Sequence, residues 1–278
     1  MPELPEVEVT RLGIQPHLQG RKMTAVKVLD GRLRWPVPNH LASTLPSQTV
    51  HKVERRGKYL LIEMDTGYLV IHLGMTGTLR VLPSSDPLKV HDRVTFEFGE
   101  LSLRLHDPRK FGAVLWHPKS KGPIENFVLL QKLGVEPFSP AFADDLGAEV
   151  LYRASRKRSI SVKQFLLAGQ AVVGVGNIYC SESLFEAGIH PAKAAGKLTR
   201  PQCIRLANAV RMILKKAIDA GGSSLKDFVN SHGEPGHFMI LTKVYDRKDE
   251  ACRVCKTPIK QIVQGQRSTY FCPVCQKR

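Results

Sequence analysis

The chain has 278 residues, enough for a sizeable hydrophobic core and for two domains, or one domain with an appended module. Lysine and arginine outnumber acids by 41 to 25, a formal charge of +16, which points to a polyanionic partner, nucleic acid before an anionic membrane. No apolar run approaches the roughly 18 residues that span a bilayer, the acidic, proline-containing N-terminus is unlike a signal or transit peptide, and six cysteines are too few for a disulfide scaffold. These features predict a soluble intracellular protein.

The chain opens "MPELPEVEV". Pro2 is small enough for removal of Met1 to be expected, which would leave a secondary amine at the terminus, either an accident of position or a nucleophile. Pro5 suits a first helical turn, with acids early and Arg11 later as the helix dipole prefers, so a helix is expected from here to about Gly20. From Thr24 to His117 the text turns to short β-rich runs ("YLLIEM", "YLVIHLGM", "RVTFEF") punctuated by Gly31, Gly67, Gly77 and Gly99. That pattern predicts an antiparallel sandwich or barrel. No internal repeat is evident.

At "GVEPFSPAF" the β-character stops, and Pro137 and Pro140 mark a linker into a helical region. The clearest helix starts at Thr199. Thr199 and Gln202 have capping-box spacing, and Ile204, Ala207, Ile213, Leu214, Ala217 and Ile218 supply an apolar face that stops at "GG". A polar, glycine-rich stretch from Gly221 to His237 is expected to be mobile. "RASRKRSISVK" reads by itself as a solvated basic surface, "VVGVGNIY" as a glycine turn able to hold an anion, and the lone Cys180 and Cys203 as small partly buried residues.

The strongest local signal is the set Cys252, Cys255, Cys272 and Cys275. Two C-x-x-C knuckles separated by sixteen residues predict tetrahedral thiolate coordination of one structural zinc ion. With four protein ligands the metal has no open position, so it should fold the tail and take no part in the chemistry. The same tail carries Arg253, Lys256, Lys260, Arg267, Lys277 and Arg278, with no acid after Glu250, a composition suited to gripping phosphates.

Taken together and in order, "PELPE", "RRGKYL", "HLGMTG", "HDPRKFG", "VVGVGNIY", "GGSSLKDF" and the paired knuckles resemble bacterial formamidopyrimidine-DNA glycosylase, from end to end of the chain. The resemblance implies an α+β protein: residues 1–135 an N-terminal antiparallel β-sandwich with an N-terminal helix, residues 136–240 a helical helix-two-turns-helix domain with a mobile lesion-recognition loop, and residues 241–278 a zinc-finger β-hairpin. It implies a bifunctional DNA glycosylase and AP lyase of base excision repair. Such an enzyme flips oxidised purines (8-oxoguanine, formamidopyrimidines) out of double-stranded DNA, excises them, and cuts abasic sites by β,δ-elimination through a Schiff base. A monomer in the bacterial cytoplasm, nucleoid-associated when bound to DNA, with no diffusible cofactor, completes that expectation.

The resemblance also assigns residues. Pro2 is the nucleophile, Glu3 the acid that protonates the opening sugar, Lys58 the proton donor in β-elimination, and Arg267 the finger arginine of δ-elimination and phosphate binding. Met75, Arg109 and Phe111 match the residues that fill the void left by the extruded base. His91, Arg158, Lys163 and Asn177 match DNA contacts, and Lys226 lies on the stretch that closes over the flipped base. Read without the resemblance, Met75 and Phe111 would be core residues and Lys58 a surface lysine. Two departures stand out: "LLAGQ" lacks an acid common in relatives, and "VYDRKDE" has Asp246 and Asp249 where relatives carry turn glycines. The endonuclease VIII branch, which prefers oxidised pyrimidines, usually opens P-E-G-P-E, so Leu4 speaks against it. A non-catalytic damage-recognition protein would not need the set Pro2, Glu3, Lys58 and Arg267. A tautomerase using a terminal proline as base would leave the finger and the basic excess unexplained.

Overall fold

The computed structural model describes residues 2–223 and 236–277. The chain forms two compact units, one built from residues 1–131 and 218–239, the other from 132–217 and 240–278.

In the first unit, helix α1 (Leu4–Leu18) carries Pro5 in its first turn and ends just before Gly20, which takes a left-handed conformation, as expected from sequence. Its buried stripe Leu4, Val7, Thr10, Ile14 and Leu18 recurs at helical spacing. The β-rich text resolves into eight strands: β1 (Ala25–Val28), β2 (Val50–Arg56), β3 (Tyr59–Met64), β4 (Gly67–His72), β5 (Thr78–Pro83), β6 (Asp92–Phe98), β7 (Leu101–His106) and β8 (Ala113–Pro118). A one-turn helix, α2 (Leu41–Thr44), lies between β1 and β2. The strands form two antiparallel four-stranded sheets, ordered β1-β6-β7-β5 and β2-β3-β4-β8.

Alternation sets which residues face inward. Leu60 pairs with Ile71 and Ile62 with Leu69 in one sheet, and Val94 pairs with Leu105 and Phe96 with Leu103 in the other. All eight belong to a single apolar core that also takes Val7, Ile14 and Leu18 from α1, so a β-sandwich with its N-terminal helix closes one core. The turn joining β4 to β5 carries the chain from one sheet to the other.

The second unit holds α3 (Asp144–Ser155), α4 (Val162–Leu167), α5 (Asn177–Glu186) and most of α6 (Arg200–Asp219), followed by the hairpin β9 (Lys260–Gln264) and β10 (Arg267–Phe271). The capping box ahead of α6 is present: Thr199 N donates to Gln202 Oε1 at 3.1 Å and Gln202 N to Thr199 Oγ1 at 3.4 Å. The buried face of α6 differs from expectation in one respect. Cys203, Leu206, Val210 and Leu214 form it together with Ala207, Ile213 and Ala217, while Ile204 is 41% exposed. One residue along a helix is a rotation of about 100°, so packing chose the stripe beside Ile204. Gly265 and Gln266, both at positive φ, make the two-residue turn of the hairpin. No helix among the described residues is long and apolar enough to cross a membrane.

Candidate active site and nucleic-acid interface

Pro2 and Glu3 are both buried at the start of α1, with Glu3 2% exposed and occupying the N-cap position. The positive end of a helix disfavours a cation beside it. Three residues on, Glu6 is equally buried and its two carboxylate oxygens divide their work. Oε2 accepts the Glu3 backbone N–H at 2.7 Å, while Oε1 accepts the N–H and hydroxyl of Ser223 at 2.7 and 2.8 Å. One carboxylate thus clasps the helix start to the residue that precedes the 224–235 segment. The flanks of that segment meet each other: Ser223 bridges His237, and Phe238 N donates to Gly222 O at 3.0 Å. Lys226, and most of the stretch expected to be mobile, lie outside the described residues.

Lys58 sits on the tight turn between β2 and β3, where Gly57 supplies the positive φ. Its neighbour in charge is His72 at the end of β4. Burial, then the Lys58 and Arg34 cations, push the His72 imidazole down to about 4. The neutral ring accepts the Gly74 N–H at Nδ1 (3.0 Å), which leaves Nε2–H as a donor. Lys58, Arg34 and His72 therefore gather positive charge and one neutral donor in a single place, an arrangement suited to a phosphate.

Met75 and Phe111, core residues if read by composition alone, are 39% and 43% exposed. They project from the β4–β5 turn and from the turn between β7 and β8. Exposed Arg109 lies with its guanidinium 5.0 Å over the Phe111 ring. His91 is half-buried, with Nδ1 3.2 Å from an Arg93 guanidinium nitrogen.

In the second unit, Arg267 is exposed at the first position of β10. The next residue is anchored twice: Asn177 Nδ2 donates to Ser268 O at 3.1 Å, and Lys163 Nζ donates to Ser268 O at 2.9 Å and Thr269 Oγ1 at 2.8 Å. Lys163 is 0% exposed. Lys163, expected to contact DNA, has its ammonium turned inward onto the hairpin, where two finger oxygens solvate it in place of water. Arg158 is exposed, as are Arg253, Lys256, Lys260 and Lys277.

The four knuckle cysteines converge, all Sγ atoms lying within 4.8 Å of one another. Cys252 and Cys275 are 4.0 Å apart and Cys255 and Cys272 3.4 Å apart, far longer than a disulfide bond. Tetrahedral zinc with Zn–S near 2.3 Å needs ligand sulfurs about 3.8 Å apart, so the set fits one structural zinc ion. Cys252 and Cys272 also belong to the small core formed by Phe185, Val244, Ile259 and Tyr270. Beside it, buried Glu182 accepts the backbone N–H groups of Lys243, Val244 and Tyr245 at 2.8, 2.9 and 2.8 Å. Burial raises the Glu182 carboxyl, and the three N–H groups oppose that rise. Asp246 and Asp249 adopt positive φ, and Asp246 accepts the Tyr270 hydroxyl at 3.3 Å, a contact glycine would lack.

Glu6, His72, Asp107 and Glu182 escaped the reading of the sequence. The Glu3–Glu6 spacing was a usable capping signal. The other three also depend on residues distant in sequence: Lys58 and Arg34 for His72, Thr76 for Asp107, and Lys243, Val244 and Tyr245 for Glu182.

Comparison with known proteins agrees along the whole chain. Residues 1–114 match the formamidopyrimidine-DNA glycosylase N-terminal domain, 133–229 the formamidopyrimidine-DNA glycosylase H2TH domain, and 249–278 the zinc finger found in FPG and IleRS. The chain is 82% identical to the formamidopyrimidine-DNA glycosylase of Polynucleobacter necessarius subsp. necessarius (strain STIR1), over 100% of both chains. Among solved structures it resembles a Lactococcus lactis FPG mutant in complex with a Fapy-dG containing DNA (TM-score 0.90, 33% identity, 100% of both chains). It also resembles MutM in complex with carbocyclic 8-oxo-G containing DNA (TM-score 0.88, 32% identity, 100% of both chains). The family models cover sandwich, helical unit and finger in order, a relative is 82% identical over the full length, and the chain belongs to the formamidopyrimidine-DNA glycosylases.

Proposed function

We propose that the chain excises oxidised purines, 8-oxoguanine and formamidopyrimidines, from double-stranded DNA and then cleaves the abasic strand. The observation that carries this reading is the buried pair Pro2 and Glu3 at the positive end of α1, in a chain whose relatives were solved on Fapy-dG and 8-oxo-G containing DNA. The Pro2 nitrogen, freed of Met1, attacks C1′ of the flipped nucleotide. The bond to the glycosidic nitrogen breaks with its electron pair leaving on the base, which takes up a proton. Glu3 protonates the ring oxygen as the sugar opens, and the nitrogen lone pair completes a C1′=N⁺ iminium. That cation acidifies the C2′ proton, whose loss expels the 3′ phosphate. A second elimination expels the 5′ phosphate, and hydrolysis of the iminium returns the amine.

In this reading Lys58 donates a proton in β-elimination and Arg267 holds phosphate for δ-elimination. Met75, Arg109 and Phe111 fill the void, with Arg109 facing the orphaned base. His91, Arg158 and Asn177 serve the DNA backbone, and Lys226 serves the closing segment. The zinc ion holds the finger and enters no step. Residues 1–135, 136–240 and 241–278 act as catalytic, helical DNA-binding and finger domains of a monomer that works in the bacterial cytoplasm and associates with the nucleoid when bound to DNA.

Borohydride trapping tests the reading. Protein beginning at Pro2 should be trapped on duplexes carrying 8-oxoguanine or a formamidopyrimidine more strongly than on an oxidised pyrimidine. Protein retaining Met1 or an N-terminal tag should bind the same duplexes without excision or trapping, since an amide nitrogen has no free lone pair. Trapping by fully blocked protein would move the nucleophile to a lysine such as Lys58. Preference for the pyrimidine lesion would favour the endonuclease VIII specificity.

A further inference from the structure

Met75 and the pair Arg109–Phe111 come from separate turns, and what joins these turns is Asp107. This residue is 0% exposed, and its two carboxylate oxygens reach in different directions. Oδ1 accepts the hydroxyl of Thr76 at 3.0 Å, in the turn that carries Met75. Oδ2 accepts the backbone N–H of Gly112 at 2.8 Å, the residue after Phe111. The backbone around Asp107 is held as well: Asp107 N donates to His91 O at 2.9 Å, Arg93 Nε donates to Asp107 O at 2.9 Å, and a second Arg93 nitrogen reaches Pro108 O at 3.4 Å. Lys110, between Arg109 and Phe111, pairs with Asp30 at 2.7 Å.

The two turns also touch without intervening side chains. A Cβ built on Gly74 would lie 2.3 Å from the Phe111 carbonyl carbon and 2.4 Å from Gly112 N. A Cβ on Gly112 would lie 2.9 Å from His72 O. Such contact brings the backbones of the Met75 and Phe111 turns together, and the Asp107 bridge sets how they align.

We propose that Asp107 is a positioning residue for void filling, a buried bridge that makes Met75, Arg109 and Phe111 one rigid wedge. The proposal rests on the void-filling reading above. A wedge must enter the stack as the base leaves, and it does so best when its parts are held in fixed relation before they meet DNA, because ordering three flexible side chains during insertion would cost entropy. Side chains left exposed, yet mounted on a doubly bonded and close-packed base, satisfy that requirement.

The test compares Asp107→Ala, Thr76→Val and Asp107→Asn with the parent. Excision of 8-oxoguanine from duplex is measured beside cleavage of a preformed abasic site in single-stranded DNA, where there is no opposing stack to invade. The fluorescence change of 2-aminopurine placed beside the lesion reports void filling directly. Thr76→Val should slow duplex excision about tenfold, the scale of one lost buried hydrogen bond, and Asp107→Ala, which loses two, by at least that much. Both should shrink the 2-aminopurine signal and leave single-strand cleavage within about twofold. Asp107→Asn should recover both readouts, since its amide oxygen can accept from Gly112 while its NH₂ donates to Thr76.

Thr76→Val leaves the Gly112 contact alone, so it decides the matter if Asp107→Ala fails to fold. Unchanged duplex excision and fluorescence in Thr76→Val, or equal loss on both substrates by folded protein, would overturn the proposal. The double variant Arg109→Ala, Phe111→Ala separates the two levels. If it leaves the fluorescence signal intact, the void-filling reading fails. If it abolishes the signal while the Asp107 and Thr76 variants keep it, only the bridge fails.

Discussion

His72 shows how one residue's surroundings become a pH dependence. Burial beside Lys58 and Arg34 takes its imidazole from an ordinary 6.5 to about 4. The folded chain thus holds the ring neutral where the unfolded chain would already be protonated. Between these two values the unfolded state binds more protons, so stability falls as the pH drops through this window and the loss is complete below about 4. At most about 3 kcal/mol is at stake for a shift of this size. His72→Asn keeps an acceptor for the Gly74 N–H but has no such titration. Chemical denaturation from pH 7 to 4 should show the parent losing stability relative to this variant below about 6.5, and a constant difference across the range would refute the assignment. Asp246 and Asp249 make a related point. The backbone at both sites is left-handed, a conformation aspartate tolerates better than most side chains, and Asp246 adds the bond from Tyr270.

Among the elements, the finger is the one whose stability depends on chemistry outside the protein. Its core is small and counts two metal ligands among its members, so without zinc the buried thiols lose the bond that justifies their burial. Chelation should therefore raise amide hydrogen exchange across residues 250–277 and weaken DNA binding. The sandwich sheets, which close a separate core, should keep their protection. Unaltered exchange in the finger after chelation would contradict this account. Helix α6 illustrates the opposite case, an element whose start is written locally. Its capping box needs partners only three residues apart, and both of its hydrogen bonds form. Its buried face is another matter, since the displacement of Ile204 from the core followed from what α6 packs against.

For the whole molecule, a formal charge of +16 and exposed finger cations imply that binding to undamaged duplex releases several counterions. The affinity should fall steeply and linearly in a plot of log K against log salt. Arg267→Ala should lower that slope by roughly one if the phosphate contact proposed for it is made. A slope near zero in the parent would remove the electrostatic premise. The charge acts at this scale because phosphates are met by many side chains at once, and no single lysine or arginine carries the binding.

What the sequence determined by itself was whatever depends on partners close along the chain. The knuckle spacing fixed the zinc ligands, the Thr199–Gln202 spacing fixed the start of α6, Pro5 and Gly20 bounded α1, and β-rich runs punctuated by turn glycines placed an antiparallel sandwich or barrel between Thr24 and His117. Tertiary structure decided the rest. The distant partners of Asp107, Lys163 and Glu6 lie 31, 106 and 217 residues away, at Thr76, Thr269 and Ser223. Whether Lys163 turns outward or onto the finger, or whether Met75 and Phe111 are buried or exposed, depends on which distant segments supply oxygen atoms and apolar surface at those points. A buried charge or an exposed aromatic ring is stable only in relation to such neighbours, and spacing along the chain carries no record of them.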